Sequence, residues 1–89
     1  MVVVQSEAFN RSALATVVCV VITSQLKWAE APGNVLLSPE ESGLPKPSVA
    51  NVTQLVTLDR AHLRDRTGRL PRRRLDEVLN GLGLMLGKA

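Results

Sequence analysis

Two hydroxyl side chains stand where this sequence predicts the end of a buried strand. Thr23 and Ser24 directly follow the apolar run from Val17 to Ile22, which is the strongest strand signal in the chain. Hydroxyls at a strand end either bind an anion or cap the next loop, because a short side chain that donates and accepts suits both roles. The residues alone favour capping.

A second polar group interrupts an apolar segment. Asn51, Thr53 and Gln54 lie within residues 48–58, which otherwise predict a strand. Buried or half-buried polar groups must find hydrogen-bond partners. These three side chains therefore indicate either a structural network or a strand that faces a ligand, and both interpretations stay open. Trp28, in the predicted connection after the apolar run, is typical of a packed or half-exposed loop aromatic.

The titratable residues argue against the common catalytic centres. The chain has one histidine, His62, and one cysteine, Cys19, so a Ser–His or Cys–His triad and a cysteine-based zinc site are unsupported. Cys19 lies inside the apolar run and predicts a buried, reduced thiol. Glu40 and Glu41 are adjacent in a segment rich in Pro, Gly and Ser, which favours a solvated loop over a general acid–base pair.

Basic residues are concentrated in the last third of the chain. Residues 59–89 hold eight basic and four acidic side chains, with seven arginines from Arg60 to Arg74, whereas residues 1–58 hold three basic and four acidic side chains. Such a concentration attracts phosphate backbones or forms a solvated face. Composition does not decide between the two.

The elements that must position these residues are mostly short strands. The predicted strands are Val2–Val4, Leu14–Thr23 as a central strand, Asn34–Leu37, Ser48–Leu58 as one strand or a bent pair, and Arg64–Leu70 at an edge. The predicted connections are a polar segment over 24–32, a loop over 38–47 and a helical turn over 59–63 with Asp59 as its N-cap.

The C-terminal segment predicts one amphipathic helix. Its apolar positions, spaced as one helical face, are Leu75, Val78, Leu79, Leu82 and Leu86. Pro71 suits the first turn. Gly81 and Gly83 each weaken a helix by about 1 kcal/mol relative to alanine, so this helix needs tertiary packing. Strands followed by one helix favour a small barrel or curled sheet with a helix against it.

The 89 residues predict one domain, 1–89, without a membrane span. No apolar run approaches the roughly 18–20 residues that a bilayer requires. No signal peptide is evident. The buried type of cysteine and the lack of a targeting segment predict a cytoplasmic protein.

Five segments, in order, resemble the MazF/PemK family of toxins from toxin–antitoxin systems. They are Val2–Ser12, Thr16–Ser24, Trp28–Val35, Ser48–Asp59 and Arg66–Pro71. The resemblance covers essentially the whole chain. It implies a mainly β, SH3-like curled barrel of the CcdB/MazF/PemK kind with a C-terminal helix, usually a homodimer. It also implies a sequence-specific endoribonuclease that cuts single-stranded RNA without a metal or cofactor, together with a cognate antitoxin.

The resemblance also assigns residues. In such enzymes the RNA 2′-OH attacks its neighbouring phosphate, so the protein has to orient the phosphate, stabilise charge and move a proton. The family's strand-end threonine, which holds the phosphate, corresponds to Thr23, and this reverses the preference for capping. The implied RNA contacts are Ser24, Thr53 and Gln54, with Lys27, Trp28 and Asn10 as further loop contacts.

One part of the family pattern has no counterpart in this sequence. The family's first strand, a long loop and an Arg-Pro pair precede the valine run, and the arginine of that pair is its main acid–base residue. The resemblance places that arginine before Met1, so we expect a missing first strand and an exposed edge. The 89-residue form is then expected to be poorly stable or to self-associate. A late-assigned start, a decayed gene and a true short form all remain open. The alternative function is a non-catalytic protein that binds the antitoxin or another toxin protomer.

Overall fold

The computed structural model describes residues 1–4, 15–62 and 70–88. Its elements, in chain order, are β1 (Val2–Val3), β2 (Thr16–Thr23), a 3₁₀ turn (Leu26–Glu30), β3 (Val35–Leu37), α1 (Pro39–Ser42), β4 (Ser48–Asp59), a second 3₁₀ turn (Arg60–His62) and α2 (Arg72–Met85). The four strands form one antiparallel sheet in the order β1-β2-β4-β3. Residues 64–69 of the predicted edge strand lie outside the described residues.

Strand β2 is the central strand that its apolar run predicts. It pairs with β1 on one side and with β4 on the other. Val17, Cys19 and Val20 are buried, while Val18 and Val21 are half-buried. Both of its faces are therefore at least partly covered, as a strand apolar on both faces requires.

Of the two forms predicted for this segment, one strand or a bent pair, the structure has one strand, β4, with a bulge of three residues. Its pairing with β2 runs from Thr16 opposite Asp59 to Val20 opposite Leu55, and then resumes at Val21 opposite Asn51. Residues 52–54 therefore have no partner in β2. Extra residues on one strand bend it and increase its twist, so the bulge curls the sheet.

Helix α2 packs on the curled sheet through its predicted apolar face. Val78 and Leu82 are buried against sheet residues that include Val20, Leu37 and Val52. The prediction is wrong for Leu86, which is 68% exposed. The helix ends at Met85, so Leu86 lies beyond the last turn that faces the sheet.

The segment predicted as a loop over 38–47 contains the short helix α1, so that prediction is wrong in part. The Ser38 hydroxyl accepts a hydrogen bond from Glu41 N–H at 3.2 Å, and Glu41 Oε1 accepts one from Ser38 N–H at 3.0 Å. This is a capping box with Pro39 at the first helical position. The prediction of a solvated Glu41 is also wrong, because its side chain is only 17% exposed.

Ion pairs involve all three arginines at the start of α2. Arg72 pairs with Asp76 at 3.0 Å. Arg74 Nε lies 2.7 Å from a Glu41 oxygen, and Arg73 lies 3.8 Å from the same oxygen. This part of the arginine cluster is therefore compensated by carboxylates within the fold. No helix of the described ranges is long and apolar enough to cross a bilayer.

Candidate functional site

Thr23 and Ser24 open onto a groove at the end of β2. The groove has a volume of about 280 Å³, and we call it the hydroxyl groove. Its lining residues are Ile22, Thr23, Ser24, Leu44, Pro45, Lys46 and Ser48. Thr23 is half-buried as the last residue of the central strand, whereas Ser24 is exposed. The arrangement places hydroxyl side chains and one lysine residue around a common opening, and hydroxyl and ammonium donors suit an oxyanion.

The hydroxyl of Thr23 also caps the loop after the strand. Its Oγ1 accepts a hydrogen bond from Gln25 N–H at 3.2 Å. The capping interpretation drawn from the residues alone is therefore confirmed. It leaves an anion role open, because a hydroxyl that accepts one hydrogen bond still has its own proton to donate. The hydrogen bond from Gln25 N–H also fixes the position of Thr23 Oγ1.

Lys27 and Trp28 lie in the 3₁₀ turn that follows. Trp28 is 44% exposed, and its indole N–H donates to Gln25 Oε1 at 3.3 Å. Lys27 Nζ lies 5.3 Å from the centre of the indole ring, within the range of a cation–π contact. Gln25 therefore contacts both Thr23 and Trp28 and joins the strand end to the aromatic side chain.

Thr53 and Gln54 are exposed on the bulge of β4, and a buried amide orients both. Asn51 Oδ1 accepts hydrogen bonds from the Thr53 hydroxyl at 2.7 Å and from Thr53 N–H at 3.3 Å. Asn51 Nδ2 donates to Gln54 Oε1 at 3.3 Å. Of the two open interpretations, Asn51 fits the structural network, while Thr53 and Gln54 are presented to solvent.

Asn34 connects the Trp28 turn to this bulge. Its Nδ2 donates to the Trp28 carbonyl, and its Oδ1 accepts from Val52 N–H, both at 2.9 Å. The sequence pattern had placed Asn34 only as the first residue of a strand. The available signal was an asparagine directly after Pro-Gly, where such side chains bond nearby backbone groups.

The predicted site residues that the structure describes lie in two groups, which hydrogen bonds of Gln25 and Asn34 connect. Thr23 and Ser24 line the hydroxyl groove. Lys27 and Trp28 lie in the turn that Asn34 ties to the bulge of Thr53 and Gln54. Asn10 lies outside the described residues. Lys46, Gln25 and Asn34 are the residues of this region that the sequence reasoning missed.

Among the described residues, the groups with perturbed pKa values lie outside the hydroxyl groove. The Ser38 backbone N–H and the Arg74 guanidinium lower the pKa of Glu41 from 4.5 to about 2. The same pairing, together with Glu77, raises the pKa of Arg74. Burial raises the pKa of the Cys19 thiol. Within the described ranges, no three His, Cys, Asp or Glu side chains come together as a metal site.

The curled antiparallel sheet with one C-terminal helix is a fold that a solved endoribonuclease shares. An endoribonuclease from a mycobacterial species, solved in complex with its cognate antitoxin, matches the structure with a TM-score of 0.81. The match covers 98% of this chain and 79% of that one, at 25% identity. The expected MazF-like architecture is confirmed.

The chain belongs to the PemK-like, MazF-like toxin family of type II toxin–antitoxin systems, which matches residues 1–86. It is 45% identical over 86 residues to Endoribonuclease MazF6 of Mycobacterium tuberculosis, covering 97% of this chain and 75% of that protein. It is 29% identical over 87 residues to Endoribonuclease MazF of Staphylococcus saprophyticus, covering 98% and 72%. The resemblance stated from the sequence is therefore confirmed.

Proposed function

We propose that this toxin-family protein is an endoribonuclease that cleaves single-stranded RNA in the hydroxyl groove. The observation that carries the proposal is the position of Thr23, at the end of the central strand and open to a groove that Lys46 also lines. The identity of 45% to an endoribonuclease supports the same reaction class.

The reaction requires little chemistry from the protein. The 2′-OH of the RNA attacks the adjacent phosphorus, and the bond from phosphorus to the 5′-oxygen breaks. The products are a 2′,3′-cyclic phosphate and a 5′-hydroxyl. Thr23 donates its hydroxyl proton as a hydrogen bond to a non-bridging oxygen, where negative charge grows in the transition state. In the family that the sequence resembles, the arginine of an Arg-Pro pair carries out proton transfer to and from the reacting oxygens, and we assign that step to no residue among 1–89.

Base recognition is assigned to the bulge of β4 and the turn beside it. The Thr53 hydroxyl and the Gln54 amide are exposed and held in place by Asn51, which suits hydrogen bonding to base edges. Trp28 has an exposed indole on which a base can stack, and Lys27 supplies a charge beside it. Asn10 stays a predicted contact.

The proposal includes the partners that the family resemblance implies. The solved neighbour is in complex with its cognate antitoxin, which supports an antitoxin partner for this chain as well. We propose a homodimer acting in the cytoplasm on mRNA, with 1–89 as a single toxin domain. The buried free thiol of Cys19 is in keeping with a reducing compartment.

The test is cleavage of a long single-stranded RNA in EDTA. The 89-residue chain is compared with a form extended upstream where the reading frame permits. We expect cuts at a short recurring sequence, and none where a 2′-deoxynucleotide replaces the attacking residue. Thr23→Val should lower the cleavage rate by about 10²–10³, the cost of one lost transition-state donor. Thr23→Ser, which keeps the hydroxyl, is the matched control and should retain most of the rate.

The outcomes separate the alternatives. Cleavage by the extended form alone means that the added segment is required for the reaction. Cleavage by the 89-residue chain shows that residues 1–89 suffice for it. If neither form cuts, the endoribonuclease proposal is wrong, and antitoxin capture without cleavage becomes the function to test.

A further inference from the structure

The hydroxyl groove contains a cation that neither the residue pattern nor the family resemblance singles out. Lys46 lines the groove together with the two hydroxyls. It lies between Pro45 and Pro47, whose rings restrict the backbone, and its carbonyl accepts a hydrogen bond from the Ser48 hydroxyl at 3.1 Å. The loop therefore presents the lysine from a constrained backbone.

The ammonium of Lys46 is electrostatically uncompensated. Arg72, Arg73 and Arg74 each have a carboxylate oxygen within 3.8 Å. Lys46 has no such partner within the part of the chain that the structure describes. Hydroxyl donors beside an unpaired ammonium match a phosphate group, because the hydroxyls bond its oxygens and the ammonium neutralises its charge.

We propose that Lys46 binds a backbone phosphate of the RNA in the hydroxyl groove, beside the hydroxyl of Thr23. This inference rests on the proposed function, since it adds a contact at the same site. The contact is to the phosphate and not to a base, so it strengthens binding of all RNA sequences alike. Lys46 lies 23 residues from Thr23 in the sequence, and the fold places both on one groove.

The test is RNA binding as a function of salt, with a matched pair of charge-removing variants. Lys46→Gln and Lys88→Gln each remove one positive charge, but Lys88 lies after α2 and does not line the groove. Binding of the full chain to a fluorescent single-stranded RNA of mixed sequence is measured by anisotropy. A single-strand phosphate contact contributes about 0.7 to the slope of log K against log salt.

Lys46→Gln should therefore reduce that slope by about 0.7 and weaken binding about fivefold at about 0.1 M salt, with the difference vanishing near about 1 M. Lys88→Gln should bind like the wild type, and Lys46→Arg should restore both slope and affinity. Thermal unfolding of each variant confirms that the fold is retained.

Two results would contradict the proposed contact of Lys46, and only the second would also contradict the proposed function. If the wild type binds RNA and Lys46→Gln matches Lys88→Gln at every salt concentration, the lysine contact is wrong while the proposed function stands. If the wild type and its extended form neither bind nor cleave RNA, the proposed function fails and the lysine contact fails with it.

Discussion

The packing of α2 on the sheet depends on one glycine and not on its neighbour two residues later. A methyl group added at Gly81 would lie 2.9 Å from the carbonyl carbon of Gly33 and 3.1 Å from its Cα. These are backbone atoms, so the contact cannot be relieved by a side-chain rotation. A methyl group added at Gly83 would meet only the Lys88 Cβ, at 3.9 Å, which is an ordinary contact.

The two Gly→Ala substitutions should therefore change stability in opposite directions. Each gains about 1 kcal/mol of helix propensity. At Gly81 this gain is outweighed, because overpacking costs typically about 1–3 kcal/mol and here the flanking residues Val78 and Leu82 must move with the helix. Because backbone meets backbone, we expect an overpacking cost of about 3 kcal/mol, at the severe end of that range. Less the gain of about 1 kcal/mol in helix propensity, Gly81→Ala should destabilise the protein by about 2 kcal/mol.

Thermal unfolding followed by circular dichroism measures the difference. For a domain of this size, 1 kcal/mol corresponds to about 4–8 °C in Tm, so Gly81→Ala should lower Tm by about 8–16 °C. Gly83→Ala should raise Tm by about 4–8 °C. Equal shifts in one direction would refute the close approach of Gly33 and Gly81. They would mean that α2 responds only to helix propensity.

Two further substitutions test the polar contacts. Asn34→Ala removes the acceptor for the N–H of the fully buried Val52 and should lower the free energy of unfolding in urea by about 1–3 kcal/mol. The control Asn80→Ala, on the exposed side of α2, should change it by no more than about 0.5 kcal/mol. Equal losses of stability in the two variants would contradict the bridging role of Asn34. The pKa of Glu41 is lowered from 4.5 to about 2, so its ionised form stabilises the folded protein above pH 4.5. This stabilisation is lost as the pH falls from 4.5 to about 2. Glu41→Gln should flatten the acid limb of stability between pH 4.5 and about 2 in urea unfolding, and an unchanged limb would contradict this role of Glu41.

The sequence predicts those features of this fold that depend on residues close together in the chain. The run before Thr23 predicts the central strand, and the spacing of Val78 and Leu82 predicts the packed face of α2, since both patterns depend on neighbouring residues alone. The short helix after Ser38 was also readable. Its Ser-Pro-Glu-Glu sequence is a capping box, although Pro and Gly nearby favoured a loop.

Other features depend on pairings between distant segments and could not be derived from local sequence. The bulge at residues 52–54 arises from the register between β2 and β4, and periodicity does not fix that register once polar residues interrupt it. The polar residues Thr53 and Gln54, which interrupt the apolar segment, were the one local signal for the bulge. Likewise, the ion pair between Glu41 and Arg74 joins residues 33 positions apart, so the sequence does not show that Arg74 is compensated by a carboxylate.

That compensation changes which cations can contribute to the proposed binding of RNA. A net charge of +3 attracts nucleic acid over a long range, but the local field at a groove depends on cations without carboxylate partners. In the described ranges the arginines of α2 are paired, whereas Lys27 lies over Trp28 and Lys46 lines the hydroxyl groove. Removing a single unpaired lysine should therefore weaken RNA binding more than removing Arg72, whose loss also releases the opposing charge of Asp76.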